Sequence, residues 1–232
     1  MTSYREWKGW RAQDFGACSP HDAAIFAGEL ARAGVGSGSG PVLELGYGNG
    51  AFLAWARDAG FACDGVELDP ALLALARDAG FTVFGGLEDV PRTPRYALIA
   101  AFDVVEHVPD AELPALFEGL AARLAPHGRL LIRSPNGDSP LGRHYQHGDV
   151  THRSAIGSHK VRQLASMSRL TFGYSEAPFV PYGDEWSARG LKARMLGLAR
   201  RTFERLIAGL YFGGEYVCLA PNLVSLCTKP AD

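Results

Sequence analysis

"PVLELGYGNGA", residues 41–51, is the stretch that decides the fold, because a strand there runs through a glycine-rich turn directly into a helix. Residues 42–45 are apolar except for Glu44, as expected of a strand within a covered sheet. Gly46, Gly48 and Gly50 let the backbone turn sharply and approach a ligand closely, and the helix after them begins with available N–H groups. The stretch therefore predicts an α/β protein that binds a ligand where its first strand ends.

Strands and helices alternate along the rest of the chain. Ser19 and Asp69 are placed to cap the helices that follow them, and Gly60 and Gly80 are placed to end two others. Residues 136–157 break the pattern and are predicted to form a polar, histidine-rich loop. The alternation predicts a mostly parallel sheet with both faces covered. Strands are predicted at residues 41–45, 61–68, 81–85, 95–102, 128–135, 170–180 and 222–229, and helices at residues 19–34, 50–60, 69–80, 110–126, 158–168 and 187–213.

The composition argues against several classes of protein. The 23 basic and 25 acidic residues nearly balance, whereas a nucleic-acid-binding protein usually carries a basic excess. The four cysteines form no CxxC pair and indicate neither a zinc site nor a disulfide framework. The start of the chain lacks the apolar core of a signal peptide, and no run reaches the roughly 20 apolar residues that span a bilayer. We therefore expect a cytoplasmic protein without a nucleic-acid partner.

Two carboxylates indicate which ligand the glycine turn binds. Glu44 would face a pyrophosphate unfavourably, but it would attract a ligand that carries an ammonium and a sulfonium. Two unit charges about 4 Å apart gain about 4 kcal/mol at an effective dielectric constant near 20. Glu67 ends the second strand, 21 residues after Gly46, where it can accept hydrogen bonds from both ribose hydroxyls. These features favour S-adenosylmethionine over a nicotinamide dinucleotide, for which the sequence also offers no hydride-transfer site.

Four motifs in order resemble those of the class I S-adenosylmethionine-dependent methyltransferases: "VLELGYGNG", "GVELDP", "FDVVEHVPD" and "LAPHGRLLIRSPN". The resemblance covers about residues 40–180 and the last strand. It implies a Rossmann-like, doubly wound, mostly parallel seven-stranded sheet with an antiparallel last strand. It also implies that Gly86 replaces a frequent acidic contact to adenine, which leaves this contact to the Leu87 backbone. The cofactor-binding residues that it implies are Glu44, Gly46, Gly48, Gly50, Glu67, Leu87 and Asp103.

The segments "EHVPD", "RSPN" and "GDVTH" are similar to those of methyltransferases that act on hydroxyls, including enzymes of the ubiquinone pathway and of cell-surface polysaccharide clusters. This similarity implies an O-methyltransferase with a sugar or glycan acceptor. A quinone or phenolic acceptor is the first alternative. The second alternative is a non-catalytic S-adenosylmethionine-binding module that regulates a partner. Such a module would need the cofactor-binding residues but no polar groups beside the methyl group.

The stretch "FDVVEHVPD", residues 102–110, places Asp103, Glu106 and His107 at the end of a strand, and His152 lies in the later histidine-rich loop. This set resembles the metal site of the small-RNA 2′-O-methyltransferases. It implies that the four residues bind Mg²⁺, Mn²⁺ or Zn²⁺ and activate an acceptor hydroxyl. One alternative is metal-free catalysis with His107 or His152 as the general base. The other is a purely structural role in a charged loop.

Two further features flank the predicted core. Aromatic residues near both ends could pack against a flat acceptor, although scattered aromatics are also common in cores. The basic, amphipathic segment 185–213 is either a helix packed on the domain, a lid, or a peripheral membrane contact. The predicted organisation is one domain with an N-terminal cap (1–39), a core (40–180 and 221–230), an active-site loop (136–160) and a helical insertion (185–213). The aromatic residues are Tyr4, Trp7, Trp10, Tyr182 and Trp186.

Overall fold

A computed structural model describes residues 4–93, 95–181 and 187–231, except for the side chains of Tyr4, Arg5 and Arg189. The predicted acceptor contacts Tyr182 and Trp186, and the side chain of Tyr4, lie outside this description.

Seven strands form one sheet in the order β3-β2-β1-β4-β5-β7-β6. β1 pairs in parallel with β2 and β4, whereas β7 runs antiparallel to both β5 and β6. The predicted mostly parallel sheet with an antiparallel last strand is thereby confirmed. The strand order reverses between β1 and β4, where open α/β sheets bind ligands. The strands are β1 (Val42–Leu45), β2 (Cys63–Val66), β3 (Thr82–Phe84), β4 (Tyr96–Phe102), β5 (Leu124–Pro135), β6 (Thr171–Glu176) and β7 (Asn222–Thr228).

The helices begin and end where local signals place them. Ser19 Oγ accepts a hydrogen bond from the Asp22 N–H, and Asp69 Oδ1 accepts one from the Ala71 N–H, so both predicted caps are confirmed. Gly60 follows its helix with a φ of 85°, a left-handed conformation that glycine adopts without strain. The helices are α1 (Tyr4–Lys8), α2 (Pro20–Arg32), α3 (Ala51–Asp58), α4 (Pro70–Asp78), α5 (Leu113–Arg123), α6 (Arg143–Gly148), α7 (Ser158–Met167) and α8 (Ala188–Tyr211).

Alternate strand residues bury the two faces of the sheet. Leu43 of β1 joins a cluster with Phe117 of α5 and Leu164 of α7, whereas its neighbour Val42 joins a cluster with Phe26 of α2 and Phe52 of α3. Helices therefore cover both faces, and polar side chains that follow the strands meet at one edge of the sheet.

The structure corrects two local predictions. The predicted loop 136–157 contains the six-residue helix α6, which has no buried side chain and therefore no apolar periodicity to mark it. Helix α5 ends at Arg123 instead of residue 126, because Leu124 already pairs with Tyr96 as the first residue of β5. His127 has a φ of 60° within this long strand.

The N-terminal segment packs on the glycine turn. A Cβ added to Gly48 would lie 2.6 Å from the Trp10 ring, and one added to Gly50 would lie 2.6 Å from the Phe15 ring. The Gly16 N–H also donates to the Asn49 carbonyl. These contacts make the aromatic segment a cover for the turn.

Candidate functional site

A cavity of about 740 Å³ opens at the carboxyl ends of β1, β2 and β4. Six residues predicted from the sequence line it: Gly46, Gly48, Glu67, Leu87, Asp103 and His107. Other residues that line the cavity were not predicted from the sequence to contact a ligand, among them Leu45, Val66, Leu68, Glu88, Glu112 and Thr151. Trp10 also lines the cavity, although the sequence predicted it only as a contact for the methyl-accepting substrate.

Glu67 is held in place by the backbone around it. Its Oε2 accepts from the Gly48 N–H at 3.0 Å, and its Oε1 accepts from the N–H groups of Leu68 at 2.7 Å and Asp69 at 3.1 Å. An ionised carboxylate offers about four lone-pair positions, and the three backbone donors leave about one, on Oε2. Glu67 can therefore accept a hydrogen bond from one ribose hydroxyl as it stands, and a second hydroxyl would share Oε1 with the backbone donors or displace one of them.

Glu44 and Gly50 do not line the cavity, contrary to the predicted direct contacts. Glu44 lies in the middle of the sheet at 4% exposure, and its Oε2 has no hydrogen-bond partner in the described part of the chain. Burial raises the pKa of Glu44 to about 8, although a hydrogen bond from the Leu53 N–H opposes the rise. Gly50 lies at the start of α3, against Phe15. Strand alternation puts Glu44 beneath the turn, where it would act on a bound cation only at longer range.

Asp103 lines the cavity but is paired with a cation. Its carboxylate accepts hydrogen bonds from two nitrogens of the Arg133 guanidinium: Nε, 3.2 Å from Oδ1 and 3.1 Å from Oδ2, and Nη2, which donates to Oδ2. A φ of 57° turns its backbone at the end of β4. Asp103 does not belong to the compact group of potential metal ligands, so the predicted set of four is reduced to Glu106, His107 and His152.

Glu106, His107 and His152 form a compact group, with one ligand atom of each within 4.8 Å of the others. Glu106 is fully buried, and neither of its carboxylate oxygens has a hydrogen-bond partner among the described residues. Burial, followed by the charge of Asp103, raises the pKa of Glu106 to about 8. A buried carboxyl without a partner is costly to ionise, so the group is suited to bind a cation.

The hydrogen bonds around the two histidines define which ring nitrogen carries the proton. Thr151 Oγ1 donates to Asp149 Oδ1 at 2.6 Å, so it must accept from Nδ1 of His107, 2.9 Å away. His152 Nδ1 lies 3.0 Å from the Gln146 carbonyl, which can only accept. In the neutral form of each ring the proton would therefore be on Nδ1, and Nε2 would carry the lone pair needed for a metal ligand or a general base.

The histidine-rich loop is fixed over the end of β4 by backbone contacts. The N–H groups of Arg153 and Ser154 both donate to the Glu106 carbonyl, at 2.7 and 3.0 Å. Ser154 Oγ donates to the Val108 carbonyl at 2.6 Å. Lys8 Nζ from the N-terminal segment lies 3.5 Å from Asp149 Oδ2. Three separate segments thus hold the group beside the cavity.

The raised pKa of Glu106 gives a testable pH dependence of stability. The folded carboxyl binds its proton up to a pH of about 8, whereas the unfolded one releases it near its ordinary value of 4.5. This group therefore makes the folded chain progressively less stable as the pH rises between those two values. In EDTA, we expect Glu106→Gln to lose less thermal stability than the wild type between pH 5 and about 8. Glu44 contributes equally to both proteins, and parallel melting curves would contradict the assignment.

Comparisons with known proteins agree with this architecture. Residues 7–171 match the family model described as a methyltransferase domain. The solved structures that match include an S-adenosylmethionine-dependent methyltransferase from Archaeoglobus fulgidus, which is 15% identical with a TM-score of 0.64 and is covered over 100% of its chain and 98% of this one. Another is an S-adenosylmethionine-dependent methyltransferase from Mesorhizobium loti, which is 17% identical with a TM-score of 0.57, over 98% of its chain and 89% of this one.

The cyclopropane synthase MmaA2 from Mycobacterium tuberculosis also matches, at 16% identity and a TM-score of 0.58, over 84% of its chain and 90% of this one. At these identities the likeness is one of fold. No match was found among curated proteins.

Proposed function

The chain belongs to the family of class I S-adenosylmethionine-dependent methyltransferases, and from this premise we propose that it transfers the methyl group to a hydroxyl of a sugar or glycan. S-adenosylmethionine is the expected cofactor of the family. The observation that supports a hydroxyl acceptor is the group formed by Glu106, His107 and His152, of which His107 lines the cavity. A binding module without catalysis has no use for this group.

The residues that line the cavity fit the cofactor. Glu67 would bind the ribose diol, and the turn at Gly46 and Gly48 brings the backbone close to the methionine part. Leu87 lies where adenine would bind, and its carbonyl is fixed by a hydrogen bond from Arg123. Asp103, paired with Arg133, places a carboxylate on the cavity wall. When bound, the cofactor supplies an electrophilic methyl group on a sulfonium.

The chain's own residues must orient the acceptor and remove its proton. As the acceptor oxygen bonds to the methyl carbon, the bond from that carbon to sulfur breaks, and the hydroxyl proton must leave. Nε2 of His107 or His152 is oriented to accept it, because Nδ1 of each ring is already a donor. Burial is the largest cause of a lowered pKa at His107, and a lowered pKa favours the neutral, proton-accepting form of this ring.

The donor set also fits a divalent cation. One carboxylate and two imidazole Nε2 atoms, all buried or half-buried, suit Zn²⁺ or Mn²⁺ better than Mg²⁺, which prefers oxygen ligands. We propose that Glu106, His107 and His152 bind such an ion. Its chemistry would be to lower the pKa of an acceptor hydroxyl. Binding would displace the proton of Glu106, so the affinity for metal should rise as the pH approaches 8.

A panel of acceptors with methyl-labelled cofactor tests the proposal. We expect label in saccharides that carry vicinal hydroxyls, and we expect the product to resist mild base, as an ether does and a methyl ester does not. Phenols and quinols belong in the same panel. Label confined to phenols or quinols would show that the acceptor is phenolic and not a saccharide. Label found only in base-labile or nitrogen-linked products would contradict transfer to a hydroxyl.

A further inference from the structure

We propose that the outward face of helix α8 binds an anionic phospholipid surface. The helix follows β6 and precedes β7 along the chain. Its buried and half-buried residues recur at helical spacing and form one stripe, called the small stripe because four of the six are glycine or alanine: Gly190, Ala193, Gly197, Glu204, Ile207 and Ala208. A helix normally turns its large apolar side chains toward the core. Most large apolar side chains of α8 point outward instead, so the outward face is the one that would bind a partner.

That opposite face is apolar and exposed. At about 100° per residue, positions 191, 195, 198, 206 and 210 lie on the side of the helix away from the small stripe. Met195 is 72% exposed, Leu198 is 64% exposed and Leu210 is 66% exposed. Tyr211, the last residue of α8, and Phe212 and Tyr216 after it are also exposed. Contiguous exposed apolar surface of this extent on a soluble domain indicates an interaction site.

The charge of α8 selects the partner. The helix contains six basic residues and one acid, although the whole chain has a net charge of −2. The acid, Glu204, is buried, accepts a hydrogen bond from the Leu219 N–H and lies 3.8 Å from Arg200 Nε, so it offsets the charge of Arg200 but not that of the other basic residues. Arg194, Arg201 and Arg205 lie along one border between the apolar face and the body, and Lys192 lies on the outward face at the same angle as Leu210. Basic borders beside an apolar face are typical of helices that lie in the interface of an anionic bilayer.

A second copy of the chain fits this face less well. A two-fold pairing of α8 with itself would bring the basic borders of both copies together without an exposed acid on either helix. None of the described helices is long and apolar enough to cross a bilayer. The contact we propose is therefore peripheral, with the apolar side chains inserted at the level of the lipid headgroups.

Flotation of the full chain with vesicles tests the proposal. We expect it to float with vesicles of phosphatidylcholine and phosphatidylglycerol at low salt, to dissociate at high salt, and to float poorly with phosphatidylcholine alone. Met195→Asp/Leu198→Asp should abolish flotation, and Arg201→Gln/Arg205→Gln should weaken binding about tenfold or more. Met167→Asp is the matched control, because Met167 is similarly exposed on α7 but lies outside the surface. Unchanged melting temperatures exclude misfolding of the variants.

Three outcomes would overturn the proposal. They are no flotation at low salt, equal flotation of the Met195→Asp/Leu198→Asp variant, and a dimer in light scattering that Met195→Asp/Leu198→Asp converts to a monomer. The last outcome would assign the face to a second copy. The experiment uses neither cofactor nor acceptor, so its result is independent of the proposed reaction.

Discussion

Glu67→Ala is expected to weaken the binding of S-adenosylmethionine by about a hundredfold or more. Each hydrogen bond to a charged group contributes roughly 1.5–3 kcal/mol, and a ribose diol would lose two of them. The carboxylate also holds the glycine turn through the Gly48 N–H, so its removal loosens a second contact with the ligand. Calorimetric titration of the wild type and the variant measures the effect directly.

Two variants separate recognition by Glu67 from a general effect of charge. Glu112→Ala removes one negative charge from the same cavity wall, where Glu112 makes no side-chain cap bond to α5, and it should bind the cofactor nearly as the wild type does. Glu67→Gln retains one acceptor oxygen but turns an amide NH₂ toward backbone donors, so we expect intermediate binding. Equal binding by Glu67→Ala and the wild type would refute the ribose assignment.

His107→Ala and His152→Ala are each expected to lower kcat for methyl transfer by about 10²–10⁴-fold. Each substitution removes an Nε2 atom that can accept a proton or bind a metal, because the neighbouring hydrogen bonds place the ring proton on Nδ1. Cofactor affinity should change much less, since the Glu67 side of the cavity is untouched. His147→Ala is the matched control, because His147 is exposed on α6, a few residues before His152. Full activity in both variants would exclude a catalytic role for the pair.

Chelation separates a metal site from a metal-free base. With the proposed cation, EDTA should abolish transfer, and Mn²⁺ or Zn²⁺ should restore it in the wild type but not in Glu106→Gln. A readout independent of activity is the melting temperature, which the ion should raise in the wild type only. If transfer survives exhaustive chelation yet is lost in His107→Ala, the histidine is the base and the metal assignment is wrong.

Local signals were sufficient for much of the fold and for part of the site. Glycine positions, helix caps and strand alternation predicted the sheet because each acts within a few residues. Glu67 was identified because it lies at a fixed distance after the glycine turn, at the end of a strand. The residues Gly46 and Gly48 line the cavity for the same reason.

Contacts between distant segments could not be predicted from such local signals. Asp103 is paired with Arg133, 30 residues away, and no local pattern reports that partner. The orientation of His107 depends on Thr151 and Asp149, and that of His152 depends on the Gln146 carbonyl. The sequence shows these partners only as part of a polar loop. The side of β1 on which Glu44 lies depends on strand register, and a shift of one residue would reverse it. Trp10 reaches the turn from a segment without strong periodicity.

A crystal structure of the chain with S-adenosylhomocysteine tests most directly the claim that this cavity is the site of methyl transfer. We expect both ribose hydroxyls to hydrogen-bond to the Glu67 carboxylate and the sulfur to lie at the end of the cavity beside His107, with His152 and Glu106 behind it. A ligand bound outside the cavity, or one whose ribose avoids Glu67 and whose sulfur points away from His107, would contradict it.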